Sequence, residues 1–432
     1  RQFCASKSPT SYSCKTLVAI WYVPLRTFYE KNPTTMKKII LSIAALIVTV
    51  LIAYLWYCNS DQFYKIHGNS SCSTFLLNEN DTILVGHNLD DYIEVPGAIF
   101  INKSGVLKEN ISWTDFTCIC AKKKSNPRIQ WTSKYGSVTY NTWGKEFIDG
   151  GMNEEGLYIG EMTMIGTKWS ETENPAFHHH FFMQYILDNF KTVQEAVDNM
   201  SNIKIDGHCQ WHYFLADKTG NTAIFEFIDG QLKLLYKDNE MPIKVLCNRA
   251  YQKELNLIPE NDSIYNEMIE TEYVSKDLRF MLASKMINGY NPINETSLVN
   301  YAFSILKKMD MGNNKWSIVY DLKKQRMFFR SSLGQEVKFI DFNSFDFECN
   351  TPIKLFDINT DIAGDVSDKF VNYSVELNKQ FIDKNFAHIN FGFIGNLLFK
   401  DRYKNKINKY ANSFDCENKT ATNTRYKTLG SK

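Results

Sequence analysis

From Cys72 onward the chain alternates short apolar runs with turn-forming residues, and this pattern predicts a sheet-rich region. Residues 73–77 (STFLL) and 82–89 (TILVGHNL), separated by the turn Asn78-Glu79-Asn80-Asp81, predict a hairpin. Further strands are expected at 135–141, 156–164, 212–217, 222–227, 231–236 and 243–248, with Gly220-Asn221 and Asp229-Gly230 turning antiparallel neighbours. Helical spacing is confined to a few stretches. Over residues 175–190, Phe177, Phe181, Ile186 and Phe190 can share one apolar face, and TVQEAVDNM follows at 192–200. Two more helices are expected at 275–287 and 296–310, then a hairpin of 316–322 with 326–332 around Lys323-Lys324-Gln325. Helices grouped between antiparallel strands predict an α+β sandwich, paired sheets with helices outside them. No repeat or linker divides residues 72–385, which read as one domain; 386–432 form an extension whose Lys/Asn-rich end from Lys400 is expected to be mobile.

Ahead of this region stand Met36, Lys37 and Lys38 and an uncharged apolar run from Ile39 to Tyr57, the layout of an export signal. The run is about long enough to span a bilayer, and no pair of small residues follows it to suit a signal peptidase. An uncleaved signal anchor over residues 36–58 is therefore expected in preference to a removed peptide, with a buried core helix as the plainer alternative. The two lysines would hold the amino end in the cytoplasm and place everything from Asn59 outside. Residues 59–71 then read as a propeptide-like linker, and residues 1–35 as a doubtful leader without assigned function.

At 432 residues, with 44% hydrophobic and 14% aromatic residues, the chain can bury a substantial core. A net charge of +1 and no basic stripe exclude nucleic acid as a partner. Nothing forbids a homo-oligomer. An exported chain raises the question of disulfides. Outside the leader, the membrane end and Cys72, the candidates are Cys118, Cys120, Cys209, Cys247, Cys349 and Cys416, and spacing alone pairs none of them. Cys118 and Cys120 lack a second cysteine or histidine pair at zinc spacing, so no metal is expected.

Four short blocks in order carry the candidate chemistry. They are Cys72 leading a first strand toward Gly86-His87-Asn88-Leu89-Asp90, then Asp149-Gly150-Gly151-Met152-Asn153-Glu154-Glu155-Gly156-Leu157-Tyr158-Ile159, then Leu246-Cys247-Asn248-Arg249, and last Asp277-Leu278-Arg279-Phe280. Together, over residues 72 to about 330, they resemble the choloylglycine hydrolase and penicillin V acylase family and its acid-amidase and acyltransferase relatives. The resemblance implies a four-layer αββα fold of the N-terminal-nucleophile hydrolases and a chain freed to begin at Cys72. It also implies that Asp90 holds the Cys72 α-amine, Asn248 donates to an oxyanion and Arg279 completes the site, with no cofactor and a small N-acyl amide as substrate. Two positions depart from the family pattern. His87 stands where most bile-salt-type members have Arg, and Thr163 stands where a pocket Asn is usual, so both are read as substrate-binding positions that alter the pocket.

Elementary chemistry explains why these residue types belong together. A thiol on a residue with a free α-amine carries its own base, because such an amine titrates near 7.7 to 8. While Cys72 is inside the chain its nitrogen is an amide, so cleavage after Ser71 becomes the activating step. The same cut would part the apolar run from the domain.

Other constellations fare worse. His178, His179 and His180, if helical, point about 100° apart and read as helix surface and core. His208-Cys209 and Trp211-His212 could offer a Cys-His pair, and His212 could even imitate a papain-like partner for Cys72, but a strand start favours a structural reading. Adjacent Glu154 and Glu155 diverge and do not make a glycosidase pair. Sequons at Asn69, Asn110 and Asn372 are expected by chance in an Asn-rich chain. The expectation is a linear-amide hydrolase working through an acyl-Cys72 thioester. Acyl transfer at the same site and a membrane-tethered binding protein on an inactive scaffold are the alternatives.

Overall fold

Strands Ser73–Glu79 and Thr82–Asp90 form the expected hairpin, tightened at Asn80 and Asp81, whose φ angles of 46° and 68° suit the short polar side chains that tolerate left-handed backbone. Phe75 pairs with Gly86 across the register, and a Cβ at Gly86 would lie 2.4 Å from the Phe75 ring. The glycine of the Gly-His-Asn-Leu-Asp block is thus the space into which that ring packs. In the computed structural model the described residues are 33–59, 71–91, 94–113, 129–169, 176–201, 203–207, 209–258, 278–291, 297–389, 396, 400–414 and 416.

The hairpin belongs to a seven-stranded sheet, in the order Val245–Leu246, Ser73–Glu79, Thr82–Asp90, Asn314–Asp321, Arg326–Ser331, Lys338–Asp341, Gly364–Asp365. All neighbours are antiparallel except the last pair. A nine-stranded antiparallel sheet runs Gln231–Leu235, Thr222–Ile228, Trp211–Ala216, Tyr158–Thr163, Gly150–Asn153, Ser137–Asn141, Ala98–Asn102, Lys354–Asp357, Val371–Asn372. Helices Arg279–Asn288 and Leu298–Met309 pack together, the second against the hairpin, while His179–Asn189 packs on the nine-stranded sheet. This is the α+β sandwich of two antiparallel sheets with helices on their outer faces, and Phe75, Tyr140, Tyr158, Trp316 and Tyr320 fill its core.

The Asp-Gly-Gly-Met-Asn block owes its composition to packing. A Cβ on Gly150 would stand 2.2 Å from the Tyr140 hydroxyl, and one on Gly151 would stand 2.5 Å from the Val138 carbonyl oxygen. Asn153 donates through Nδ2 to the Leu187 and Phe190 carbonyls at 2.9 and 2.7 Å, satisfying the end of helix His179–Asn189. Its Oδ1 accepts from the Glu155 and Leu157 amides. Gly156 supplies the positive φ of 83° that closes the turn.

Several expectations are corrected. The helix expected from about residue 175 begins only at His179, so the three histidines are not successive helical positions. All three are buried, none on the surface, and the His178 and His179 rings stack at 4.3 Å. His178 instead caps the helix, accepting from the His180 amide. The tail is not structureless from Lys400: Asp401–Ala411 is a helix, Tyr410 stacks on Phe181 at 4.3 Å, and a disulfide joins Cys416 to Cys349. Asn110 is buried, bonding the Ala176 carbonyl and the His178 amide, so its sequon is closed to a glycan in the folded chain, whereas Asn372 is exposed. Cys118, Cys120, His208 and Asn69 lie outside the described residues.

The chain divides into two units, residues 1–63 and 64–432. In the first, helix Pro33–Asn59 covers the apolar run, with Leu41 and Leu46 exposed to 68% and 64%. Among the described residues no helix is long and apolar enough to cross a membrane, and the side chains of residues 53–59 lie outside them, so the span expected at residues 39–57 gains no support.

Candidate active site

Residues of one strand point their side chains alternately to opposite faces, and the hairpin uses both faces. Asn88 donates to the Leu306 carbonyl at 2.8 Å and Asp90 faces Arg279, both on the helix side, whereas the His87 ring meets Tyr158 of the opposite sheet. Ser71 and Cys72 enter the first strand between these surroundings, and both are buried.

The Ser71–Cys72 peptide is held from several directions. The Ser71 amide donates to the Asp90 carbonyl at 3.2 Å, and the Ser71 carbonyl accepts from Arg279 Nη1 at 2.5 Å. The same guanidinium nitrogen lies 3.4 Å from Asp90 Oδ2, and Arg279 Nη2 donates to Asn248 Oδ1. Asn248 Nδ2 donates one proton to the Thr163 carbonyl at 2.7 Å and carries a second. Asn314 Nδ2 fixes the other Asp90 oxygen at 2.9 Å. Cys72, Asp90, Asn248, Arg279 and the Thr163 backbone, predicted from separate blocks, therefore converge around one peptide bond. A buried cation with five fixed donors can bind a carboxylate, an amide oxygen and a backbone carbonyl at once, which a lysine cannot.

Glu161 was not foreseen. It is buried on the strand Tyr158–Thr163, and the Cys72 thiol donates to its Oε1 at 3.8 Å. Burial, aided by Asp149 and Asp91, pushes its carboxyl well above the ordinary range. The only sequence signal was a lone acid inside an otherwise apolar strand, which usually marks a solvent-facing position. Asp149, held by the Thr142 amide at 2.6 Å, is likewise pushed up by burial, to about 7. Burial, then Glu161 and Asp90, raise the Cys72 thiol well above its ordinary value, so in the uncut chain the sulfur is a neutral thiol.

His87 lies fully buried with Nδ1 3.1 Å from the Tyr158 hydroxyl and its ring 5.3 Å from that of Tyr140. Burial pushes its pKa down to about 3, so it stays neutral where an arginine would be charged. The papain-like reading of His212 does not fit: its Nε2 bonds the Cys247 carbonyl at 2.8 Å and its Nδ1 faces Glu226. Among the described residues no cluster of His, Cys, Asp and Glu could hold a metal ion.

Comparison with known proteins agrees with this architecture. A sequence profile of the acyl-coenzyme A:6-aminopenicillanic acid acyl-transferase family matches residues 77–258. A penicillin V acylase of Pectobacterium atrosepticum is 26% identical over 264 residues, covering 51% of this chain and 69% of that protein. Among solved structures, a penicillin V acylase from Agrobacterium tumefaciens matches with a TM-score of 0.58 at 22% identity, over 70% of this chain and 98% of its own. A variant of the conjugated bile acid hydrolase from Clostridium perfringens matches with a TM-score of 0.51 at 16% identity, over 67% and 98%. The two structural matches establish the shared fold. Taken with the sequence matches, they support the resemblance of the chain to the choloylglycine hydrolase and penicillin V acylase family.

Proposed function

We propose that this chain hydrolyses linear, non-peptide amide bonds with Cys72 as nucleophile, after it has cut itself between Ser71 and Cys72. The observation that carries the reading is the grip of Arg279 on the carbonyl oxygen of the residue before Cys72. A donor at that oxygen polarises the carbonyl and stabilises the oxyanion formed when the neighbouring sulfur attacks it. In that step the Cys72 sulfur bonds to the Ser71 carbonyl carbon and the peptide nitrogen leaves with a proton. A thioester and a free α-amine result, and water then hydrolyses the thioester to release residues 1–71. The α-amine, oriented by Asp90, becomes the base that takes the thiol proton when Cys72 attacks an amide substrate. Asn248 donates its second amide proton to the tetrahedral oxyanion. The leaving amine departs protonated, and water resolves the acyl-thioester.

A second reading, transfer of the acyl group to an amine in place of water, is favoured by the acyl-transferase profile that matches residues 77–258. Both use the same acyl-enzyme. The cut would also separate helix Pro33–Asn59 from the catalytic unit, so an exported precursor would release its enzyme outside the cytoplasm.

The test is the amino terminus of the purified wild type and of Cys72→Ala, followed by a panel of acyl amides that includes penicillin V and conjugated bile acids, with and without a competing amine. A wild type that starts at Cys72 and forms acyl adducts, beside an uncut variant, is expected. An active wild type with Ser71 still joined to Cys72 would refute the mechanism.

A further inference from the structure

The proposed chemistry leaves one buried ionisable pair unused. His212, on the strand Trp211–Ala216, and Glu226, on the strand Thr222–Ile228, are both fully buried with His212 Nδ1 3.5 Å from Glu226 Oε1. Each also reaches out of the nine-stranded sheet to the same short turn. A carbonyl can only accept, so His212 Nε2 carries the proton it shares with the Cys247 carbonyl at 2.8 Å. Glu226 Oε1 accepts from the Tyr251 amide at 2.6 Å. The two contacts bracket residues 248–250, the turn between the edge strand Val245–Leu246 and the helix Tyr251–Leu255. That edge strand pairs with the strand that Cys72 leads, Leu246 opposite Thr74 and Val245 opposite Phe75.

We infer that His212 and Glu226 are positioning residues that clamp the Asn248 turn at both ends and so set the Asn248 amide against the carbon that Cys72 attacks. The inference rests on the proposed role of Asn248. Its physical basis is that an oxyanion donor works only if it is in place before charge develops, and a loose turn cannot supply that. Asn248 itself is tied through its side chain to Thr163 and Arg279, but those bonds orient the amide without fixing the height of its backbone. Glu226 Oε1 lies 3.5 Å from His212 Nδ1, the ring nitrogen that does not make the outward bond, so the two buried side chains stand side by side at the base of the turn. The sheet carrying the clamp is not the sheet carrying Cys72, so the pair also registers one layer of the sandwich against the other.

The test uses the processed full chain and four variants: His212→Leu, His212→Gln, Glu226→Gln and, as reference, Asn248→Ala. Gln at 212 keeps an NH donor near the Nε2 position, and Gln at 226 keeps an acceptor for the Tyr251 amide. Asn248→Ala is expected to lower kcat by about 10²–10³-fold. His212→Leu is expected to lower kcat by roughly 10-fold to 10²-fold with KM within about threefold, His212→Gln to recover a substantial part of it, and Glu226→Gln to fall between. Thermal unfolding and the rate of Cys72 labelling by a small alkylating agent are read alongside. Unchanged kcat in His212→Leu and Glu226→Gln, or losses that follow only the fall in thermal stability without recovery in His212→Gln, would overturn the clamp and leave the enzyme reading intact. A wild type without amide hydrolysis would overturn the enzyme reading and the clamp together, and an Asn248→Ala variant with full kcat would overturn the oxyanion role of Asn248 and with it the clamp.

Discussion

Arg279 Nη1 stands 2.5 Å from the carbonyl oxygen of Ser71 and 3.4 Å from Asp90 Oδ2, so one buried guanidinium binds both the Ser71–Cys72 peptide and the acid beside it. Replacing it with methionine should leave the chain uncut, slowing the cut by about 10²–10³-fold, as expected for one lost oxyanion donor. Intact mass over a time course measures this. Burying Asp90 without its cation also destabilises the fold, so Arg279→Lys is the companion: it keeps a charge but not the fork, and should fold and process slowly. Wild-type processing in either variant would remove Arg279 from the reaction.

Gly151 makes a packing prediction independent of any chemistry. A Cβ there would meet the Val138 carbonyl oxygen at 2.5 Å, a backbone atom locked in the neighbouring strand. Gly151→Ala should cost about 1–3 kcal/mol, the usual penalty for overpacking, measured by chemical denaturation of the Cys72→Ala chain. A stability equal to that of the parent would show that the strand shifts freely.

Glu161, beside Cys72, and Asp149, whose charge acts on Glu161, set the sign of a pH dependence. Burial raises Asp149 from its ordinary 3.8 to about 7 and raises Glu161 in the same direction. Between those limits the folded chain holds a proton that the unfolded chain releases, so this stabilisation is complete below about pH 4 and is lost as pH rises through about 7. Thermal midpoints of the uncut Cys72→Ala chain should therefore fall from pH 5 to pH 8, and Asp149→Asn should flatten the slope. An unchanged slope in Asp149→Asn would mean that Asp149 ionises normally.

Much of this architecture could be read locally. The hairpin at Asn80 and Asp81, the strands through Tyr158 and Trp211, and the helices beginning at Arg279 and Leu298 each declare themselves through spacing and turn chemistry within a dozen residues. Cys72, Asp90, Asn248 and Arg279 were legible only as an ordered set, since each taken alone reads as a turn or a core position. Glu161 was not legible, because only the approach of the second sheet turns a lone acid in a strand into the partner of a sulfur. The histidine run misled because Phe177 and His178 extend as a strand against Ile205 and Asp206, a pairing with no trace in the local pattern. The end of the chain misled for a similar reason: Ile407, Tyr410 and Ala411 make one apolar stripe on a helix that is otherwise mostly polar and charged.

That stripe leads to the last prediction. Helix Asp401–Ala411 is held at its carboxyl end by buried Lys145, whose ammonium donates to the carbonyls of Ala411 and Phe414. Lys145 also lies 3.6 Å from Glu146, which Lys108 bonds at 3.0 Å while reaching Asp188 at 3.1 Å. The Cys349–Cys416 disulfide closes a loop spanning a sequence separation of 67 just beyond this anchor. Restricting an unfolded loop of that length stabilises the fold by up to ~4 kcal/mol. Cys349→Ala with Cys416→Ala should lower stability by an amount of that order in chemical denaturation, with cleavage after Ser71 unaffected because the strap makes no bond to the Ser71–Cys72 peptide among the described residues. Lys145→Met should go further than the disulfide variant, since it leaves two helix-end carbonyls without their cation and Glu146 with one ammonium fewer. If the two changes together cost no more than either alone, the disulfide and the lysine act as one anchor; additive losses would make them independent fastenings of the same helix.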